Sequence, residues 1–123
     1  VSAMHDPTEG GIATAVREMA MAAEAGAVMS RPAITVTAET QAVCDLFGID
    51  PLGLLSSGSL LAAVPKERME RAEAALLAAG VPFAWIGKLT NQSAGYVLRD
   101  GLIESPLPEF AVDELARVFA EGA

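Results

Sequence analysis

The sequence predicts an α+β fold: a mixed β-sheet with helices packed on its faces. Three observations lead there. Helical and extended patterns alternate along 123 residues, a length that builds one hydrophobic core and not two. Tyr96–Arg99 and Leu102–Ile103 read as strands joined through Asp100-Gly101, a hairpin dipeptide. The apolar run Leu60–Val64, a helical pattern and the extended stretch Phe83–Leu89 follow one another as a β-α-β unit, the clearest piece of topology. A hairpin together with a crossover makes a mixed sheet rather than a purely parallel one.

Each element has its own local reason. Asp6, Pro7 and Glu9 suit the N-cap, first and third positions of a helix. That helix, Gly11–Ala25, sets Ile12, Val16, Met19, Ala20 and Ala23 on one face, and Gly26 is a good stop. Ala27–Met29 forms a short strand. Ala33–Thr37 is β-branched and alternating, so it reads as another. Thr37 caps a helix over Ala38–Phe47, closed by Gly48, and Asp50-Pro51 begins a single turn through Leu54. The polar turn Ser56–Ser59 feeds Leu60–Val64, whose unbroken apolarity suits a central strand. Pro65 opens a helix over Lys66–Ala79, with Met69, Ala72, Leu76 and Ala79 on one face and Gly80 beyond its end. Asn91–Ala94 is a turn. A last helix, Ala111–Ala120, turns Leu115, Val118 and Phe119 inward.

Composition narrows the function. Hydrophobic residues make up 52% of the chain, which excludes a disordered tail. Eight Lys and Arg stand against 16 Asp and Glu, a net charge of −8. Such a chain repels phosphate backbones and anionic bilayers, so neither nucleic acid nor membrane is an expected partner. One cysteine and one histidine, far apart, make neither a disulfide nor a zinc site. No apolar run reaches the roughly 18 residues of a membrane span, and nothing resembles a signal peptide. A cytoplasmic location is expected. The chain begins at Val1 and reaches a functional-looking turn by Asp6, so residues 1–123 are expected to be one domain cut from a two-domain protein.

The most informative residues are Gly10 and Gly11. Two glycines in a helix's first turn cost about 1 kcal/mol each relative to alanine. A plain helix start has no use for them. A missing Cβ lets another group approach the backbone, and a helix N-terminus offers N–H groups to an anion. The pattern leaves two readings open: a phosphate or nucleotide contact, and tight helix packing. Arg17 is the one basic residue near this turn in sequence. His5 beside Asp6 reads as structural or solvated, because adjacent side chains of an extended entry point apart. Cys44 has no basic neighbour and reads as a core thiol. Ser56, Ser57 and Ser59 around Gly58 make either a polar turn or an oxyanion site. Asp45 and Asp50 read as caps or surface acids, and Lys66, Arg68 and Arg71 as a solvated helix face.

The run Asp6-Pro7-Thr8-Glu9-Gly10-Gly11-Ile12-Ala13-Thr14-Ala15 resembles the start of the C-terminal domain of the aminoimidazole ribonucleotide (AIR) synthetase superfamily. It looks most like the hydrogenase-maturation carbamoyl dehydratase branch, where Asp-Pro-Thr-x-Gly-Gly opens a helix. The runs Leu46–Leu52, Ser57–Pro65 and Val81–Gly87 are similar to the same branch, in the same order, over about positions 3 to 104. The resemblance implies a partly ferredoxin-like domain of a two-domain, ATP-dependent, homodimeric enzyme. The N-terminal half, to which nothing in this chain corresponds, would carry most of the nucleotide and Mg²⁺ ligands. Asp6, Thr8, Gly10 and Gly11 would be the turn facing the cleft. The amides of Gly10 and Gly11 would meet phosphate and the Thr8 hydroxyl would add a hydrogen bond. Asp6 would be a helix cap, or a polar cleft residue if Mg²⁺ is bound. Ser57 and Gly58 would form a second turn at the cleft.

ATP and Mg²⁺ are thus implied for the parent protein, with no cofactor held tightly by this chain; its partners would be the N-terminal domain and a small-molecule nucleotide or substrate. Two departures from the branch stand out. The turn that in the branch commonly carries a glutamate next to its glycine reads Ser56-Ser57-Gly58 here, and serine cannot serve as the same general base. The ending Ala116–Ala123 has no cysteine. A related enzyme with a different substrate fits better than the dehydratase. The rival is a non-catalytic ligand-binding or assembly module that kept the fold and lost the active site.

Overall fold

The computed structural model describes residues 1–121. Six strands and four helices run in the order β1 (Ala3–His5), α1 (Gly11–Ala22), β2 (Gly26–Ser30), α2 (Ala38–Phe47), β3 (Leu61–Ala63), α3 (Met69–Ala78), β4 (Gly87–Thr90), β5 (Tyr96–Asp100), β6 (Ile103–Pro106) and α4 (Glu114–Ala120). The larger sheet has the order β4-β2-β5-β6. Only β2 and β5 are parallel, with Ala27 opposite Tyr96, so the sheet is mixed. The hairpin pairs Asp100 with Ile103 around Gly101. A second sheet has two strands, β1 antiparallel to β3, with His5 opposite Leu61. This is an α+β domain.

Helix α1 packs against both sheets. Ala13, Val16 and Ala20 meet Ala27 and Met29 of β2, Leu98 of β5, and Leu52 and Leu107 from loops. Small residues along α1 let the helix lie close to the strands, and the larger Met29, Leu52 and Leu107 fill what remains. Val16, Met19 and Ala20 are buried as their spacing predicts. Helix α2 is bounded as expected: Thr37 Oγ1 accepts the Thr40 N–H at 3.2 Å, and Gly48 closes it in a left-handed conformation. The Asp50-Pro51 turn also forms, with Asp50 Oδ1 accepting the Leu52 N–H at 3.0 Å.

Several expectations need correction. Gly26 does not stop α1. The chain turns at Glu24, in a left-handed conformation, and Gly26 begins β2, where a Cβ would lie 2.5 Å from the Gly95 carbonyl oxygen. Ala33–Thr37 is not a strand: Arg31–Ala33 is a 3-10 turn, and β2 already has β4 and β5 on its two sides. Leu60–Val64 does not supply a central strand. Its ordered part, β3, belongs to the two-stranded sheet, while β4 pairs antiparallel with β2, so no β-α-β unit spans Leu60–Ile86. Strand β4 is also shorter than expected, beginning at Gly87. Helix α4 is turned differently than expected. Leu115 is 41% and Phe119 69% exposed, Val118 is half-buried, and Glu114 is buried at 7%.

Candidate functional site

Strand β1 delivers the chain into the Asp6–Gly11 turn at the foot of α1. Pro7 is fully buried, while Asp6, Thr8 and Glu9 are exposed. The helix starts at Gly11, with Gly10 at its N-cap and no side-chain cap, so Asp6 is not the cap and Pro7 is not in the first turn. Gly10 and Gly11 have φ of 82° and 66°, left-handed values that glycine adopts without strain. A Cβ on Gly11 would lie 2.5 Å from the Leu52 carbonyl oxygen and 2.7 Å from that of Leu54. One on Gly10 would collide with the Thr14 side chain. The two amides do not face outward together. Gly10 donates to Asp113 Oδ2 at 2.8 Å, a buried bond, and Gly11 donates to the Thr8 carbonyl at 3.1 Å. Close packing is therefore what this geometry displays, and both amides, expected to face phosphate, donate here within the chain.

Asp113 has its other oxygen, Oδ1, on the Leu115 N–H at 2.9 Å, which caps α4. The next residue, Glu114, accepts the Asp50 N–H at 2.8 Å and Arg117 Nε at 2.9 Å. Arg117 reaches on to the Gly48 carbonyl at 3.2 Å. The Arg117 hydrogen bond holds the Glu114 carboxyl below its ordinary value, against the opposing effect of burial, with help from the Asp50 amide. Sequence reasoning missed both acids. Asp113 carried an N-cap signal, but its partner lies 103 positions away.

Between the Gly10 turn and α4 runs an open groove of about 780 Å³. Thr8, Glu9, Gly10, Thr14 and Glu18 form one wall, and Phe110, Val112, Leu115 and Phe119 the other, with Leu55 between. No lysine or arginine lines it among the described residues. Arg17 points elsewhere: it donates to the Leu107 carbonyl at 2.6 Å and lies 4.6 Å from the Tyr96 ring centroid. His5 pairs with Glu18, Nε2 to Oε2 at 2.6 Å, and not with Asp6.

Of the residues singled out in the sequence, Thr8 and Gly10 line the groove; Gly11 lies beneath the Leu52 and Leu54 carbonyls. Ser57 and Gly58 are exposed, in the turn that leads into β3. Because His5 opposes Leu61, that turn and the Asp6 turn leave the same end of the β1–β3 ladder. Cys44 is 0% exposed, and burial followed by the nearby Asp45, Asp50 and Glu114 carboxylates pushes its thiol up. Among the described residues no three His, Cys, Asp or Glu side chains converge as a cation site. No helix among the described residues is long and apolar enough to cross a membrane.

A family model described as AIR synthase related protein, C-terminal domain, matches residues 1–100. Carbamoyl dehydratase HypE of Rhodobacter capsulatus is 33% identical over 99 residues, covering 79% of this chain and 29% of that protein. The crystal structure of E. coli HypE, a hydrogenase maturation protein, aligns with a TM-score of 0.80 at 32% identity, over 94% of this chain and 38% of its own. A hydrogenase maturation protein HypE solved in complex with ATP aligns with a TM-score of 0.77 at 29% identity, over 89% and 36%. The chain spans less than two fifths of the length of these relatives. With the Asp6–Gly11 turn, the mixed sheet and the match over most of its length, this chain belongs to the AIR synthase related family as a C-terminal domain, in its hydrogenase-maturation branch.

Proposed function

We propose that this chain is the C-terminal half of an ATP-utilising enzyme and forms one wall of a nucleotide cleft that an N-terminal half completes. The observation that carries the reading is the kinship with a HypE solved in complex with ATP. In this reading the Asp6–Gly11 turn and the groove beside it face the nucleotide. The turn contributes shape and the hydroxyls of Thr8 and Thr14, since the glycine amides are spent inside the chain. Asp6, Ser57 and Gly58, at the shared end of β1 and β3, form the rim.

A wall bearing Glu9 and Glu18 and no lysine or arginine does not hold a triphosphate by itself. The neutralising charge has to come from the other half, as basic side chains or as Mg²⁺. The described residues of this chain do not fit a Mg²⁺ site, because no three candidate ligands converge. A cytoplasmic, homodimeric parent fits this reading.

Calorimetric titration of MgATP into the protein carrying this chain tests it. Binding is expected, weakened about three- to tenfold by Thr8→Val, the value of one hydrogen bond. Residues 1–123 alone are expected not to turn over ATP; steady hydrolysis by that fragment contradicts a divided cleft. The internal use of both glycine amides favours the rival, a non-catalytic module. A well-folded protein that binds no MgATP overturns the nucleotide reading and leaves the rival.

A further inference from the structure

Helix α4 is tied to the domain through buried carboxylates at its start, while most of its apolar side chains stay open. Asp113 and Glu114 are 9% and 7% exposed, while Val112, Leu115 and Phe119 lie open along the groove. The two carboxylates grip different turns. Asp113 takes the Gly10 N–H at 2.8 Å and Glu114 takes the Asp50 N–H at 2.8 Å. Those turns meet at Gly11, which sits under the carbonyls of Leu52 and Leu54. The carboxylate on Gly10 is buried and charge-assisted, a stronger hold than a neutral acceptor gives. It fixes a residue at φ 82°, in the turn that sets Thr8 and Thr14 along the groove. Asp113 and Glu114 both lie beyond the 1–100 span of the family match.

We propose that Asp113 is a positioning residue for the cleft: by holding the Gly10 amide from the far side of the groove, it sets the turn in the shape the nucleotide meets. The inference rests on the nucleotide reading above. Asp113 lines the groove, but both its oxygens are engaged within the chain, Oδ2 by the Gly10 N–H and Oδ1 by the Leu115 N–H, so it acts on the turn. Glu114, one position along the same helix, is the matched control, because it grips the Asp50 turn and does not line the groove.

The experiment compares Asp113→Asn, Asp113→Ala and Glu114→Gln in the protein carrying this chain. Calorimetry gives the MgATP Kd per folded molecule, and amide hydrogen exchange reports the 8–11 turn. Asp113→Asn keeps one acceptor, so a graded loss is expected: a few-fold weaker binding in Asp113→Asn and about tenfold or more in Asp113→Ala. Exchange at Gly10 rises in step. Glu114→Gln is expected to lower the melting temperature while leaving Kd unchanged. If Asp113→Ala does not fold, the Asp113→Asn and Glu114→Gln pair decides. Unchanged Kd with a faster-exchanging turn overturns the positioning role. Tighter binding overturns it too, because the carboxylate is then competing with phosphate for the Gly10 amide. A wild-type protein that binds no MgATP removes the cleft reading itself, whereas binding that is equal in wild type and Asp113→Asn removes only the role of Asp113.

Discussion

Gly11 carries two separate demands. Its φ of 66° costs a β-branched residue roughly 1–3 kcal/mol, and a Cβ would strike two backbone carbonyls that cannot swing aside as a side chain does. Gly11→Val is therefore expected to destabilise the domain by about 2–5 kcal/mol in denaturant titration. A melting curve like the wild type's would show that the turn yields freely. The sequence points to the glycine pair and puts Gly11 in a helix's first turn, where helical φ would admit valine; the positive φ closes that option. Cys44 behaves as its neighbours in sequence suggest. Buried, with its pKa raised, it is expected to resist thiol reagents until the protein unfolds, and Cys44→Ser is expected to cost about 1–3 kcal/mol. Glu114 gives a pH signature. Its folded pKa is below the unfolded 4.5, so its contribution is complete above that value and fades as pH falls through the folded one. Acid titrations of stability should lose part of their slope below about pH 4.5 in Glu114→Gln; an unchanged slope would show that Arg117 does not hold this carboxylate.

Elements whose signals are local were legible, and elements whose partners are distant were not. Helix α2 carries both boundaries within its own residues, Thr37 before it and Gly48 after it. Thr37→Ala is expected to cost about 1 kcal/mol, and a change below a few tenths would mean that Thr40 holds the first turn unaided. Strand β3 misleads because apolarity says that a strand is wanted and nothing about which neighbour it will find. Ala33–Thr37 has the residues of a strand, but no place remains beside β2. Helix α4 misleads because its inward side is acidic. Amphipathic reading assumes that apolar residues point to the core, and here Glu114 does so while Phe119 does not. The same distinction governs the candidate site. Thr8 and Gly10 were findable from the glycine pair and do line the groove, whereas the residue that holds Gly10 lies in the last helix, out of reach of any local pattern.

Across the whole molecule, the charge of −8 sets what the groove can accept. Glu9 and Glu18 on its wall place negative potential where a triphosphate would approach. Nucleotide binding by the protein carrying this chain is accordingly expected to fall at least about tenfold when Mg²⁺ is chelated, and to be absent from residues 1–123 alone. Undiminished ATP binding in chelator would mean that the partner half supplies enough fixed positive charge by itself.

The ladder on either side of β2 bears on how the molecule comes into being. Ala27 pairs with Leu89 on one side and with Tyr96 on the other, roughly sixty to seventy residues further along. Within this domain, synthesis delivers α1 and β2 well before β4 and β5. Until β4 and β5 emerge, the larger sheet that closes over Val16 and Met29 is incomplete, and the domain carries unsheltered apolar surface while residues 31–86 are made. Chain closure over that distance is slow compared with helix formation, so α1 should acquire helical signal early in refolding and β2 its amide protection only with β5. A nascent chain released before Gly87 has no neighbour for β2 at all, and it should be among the first species that quality-control proteases remove.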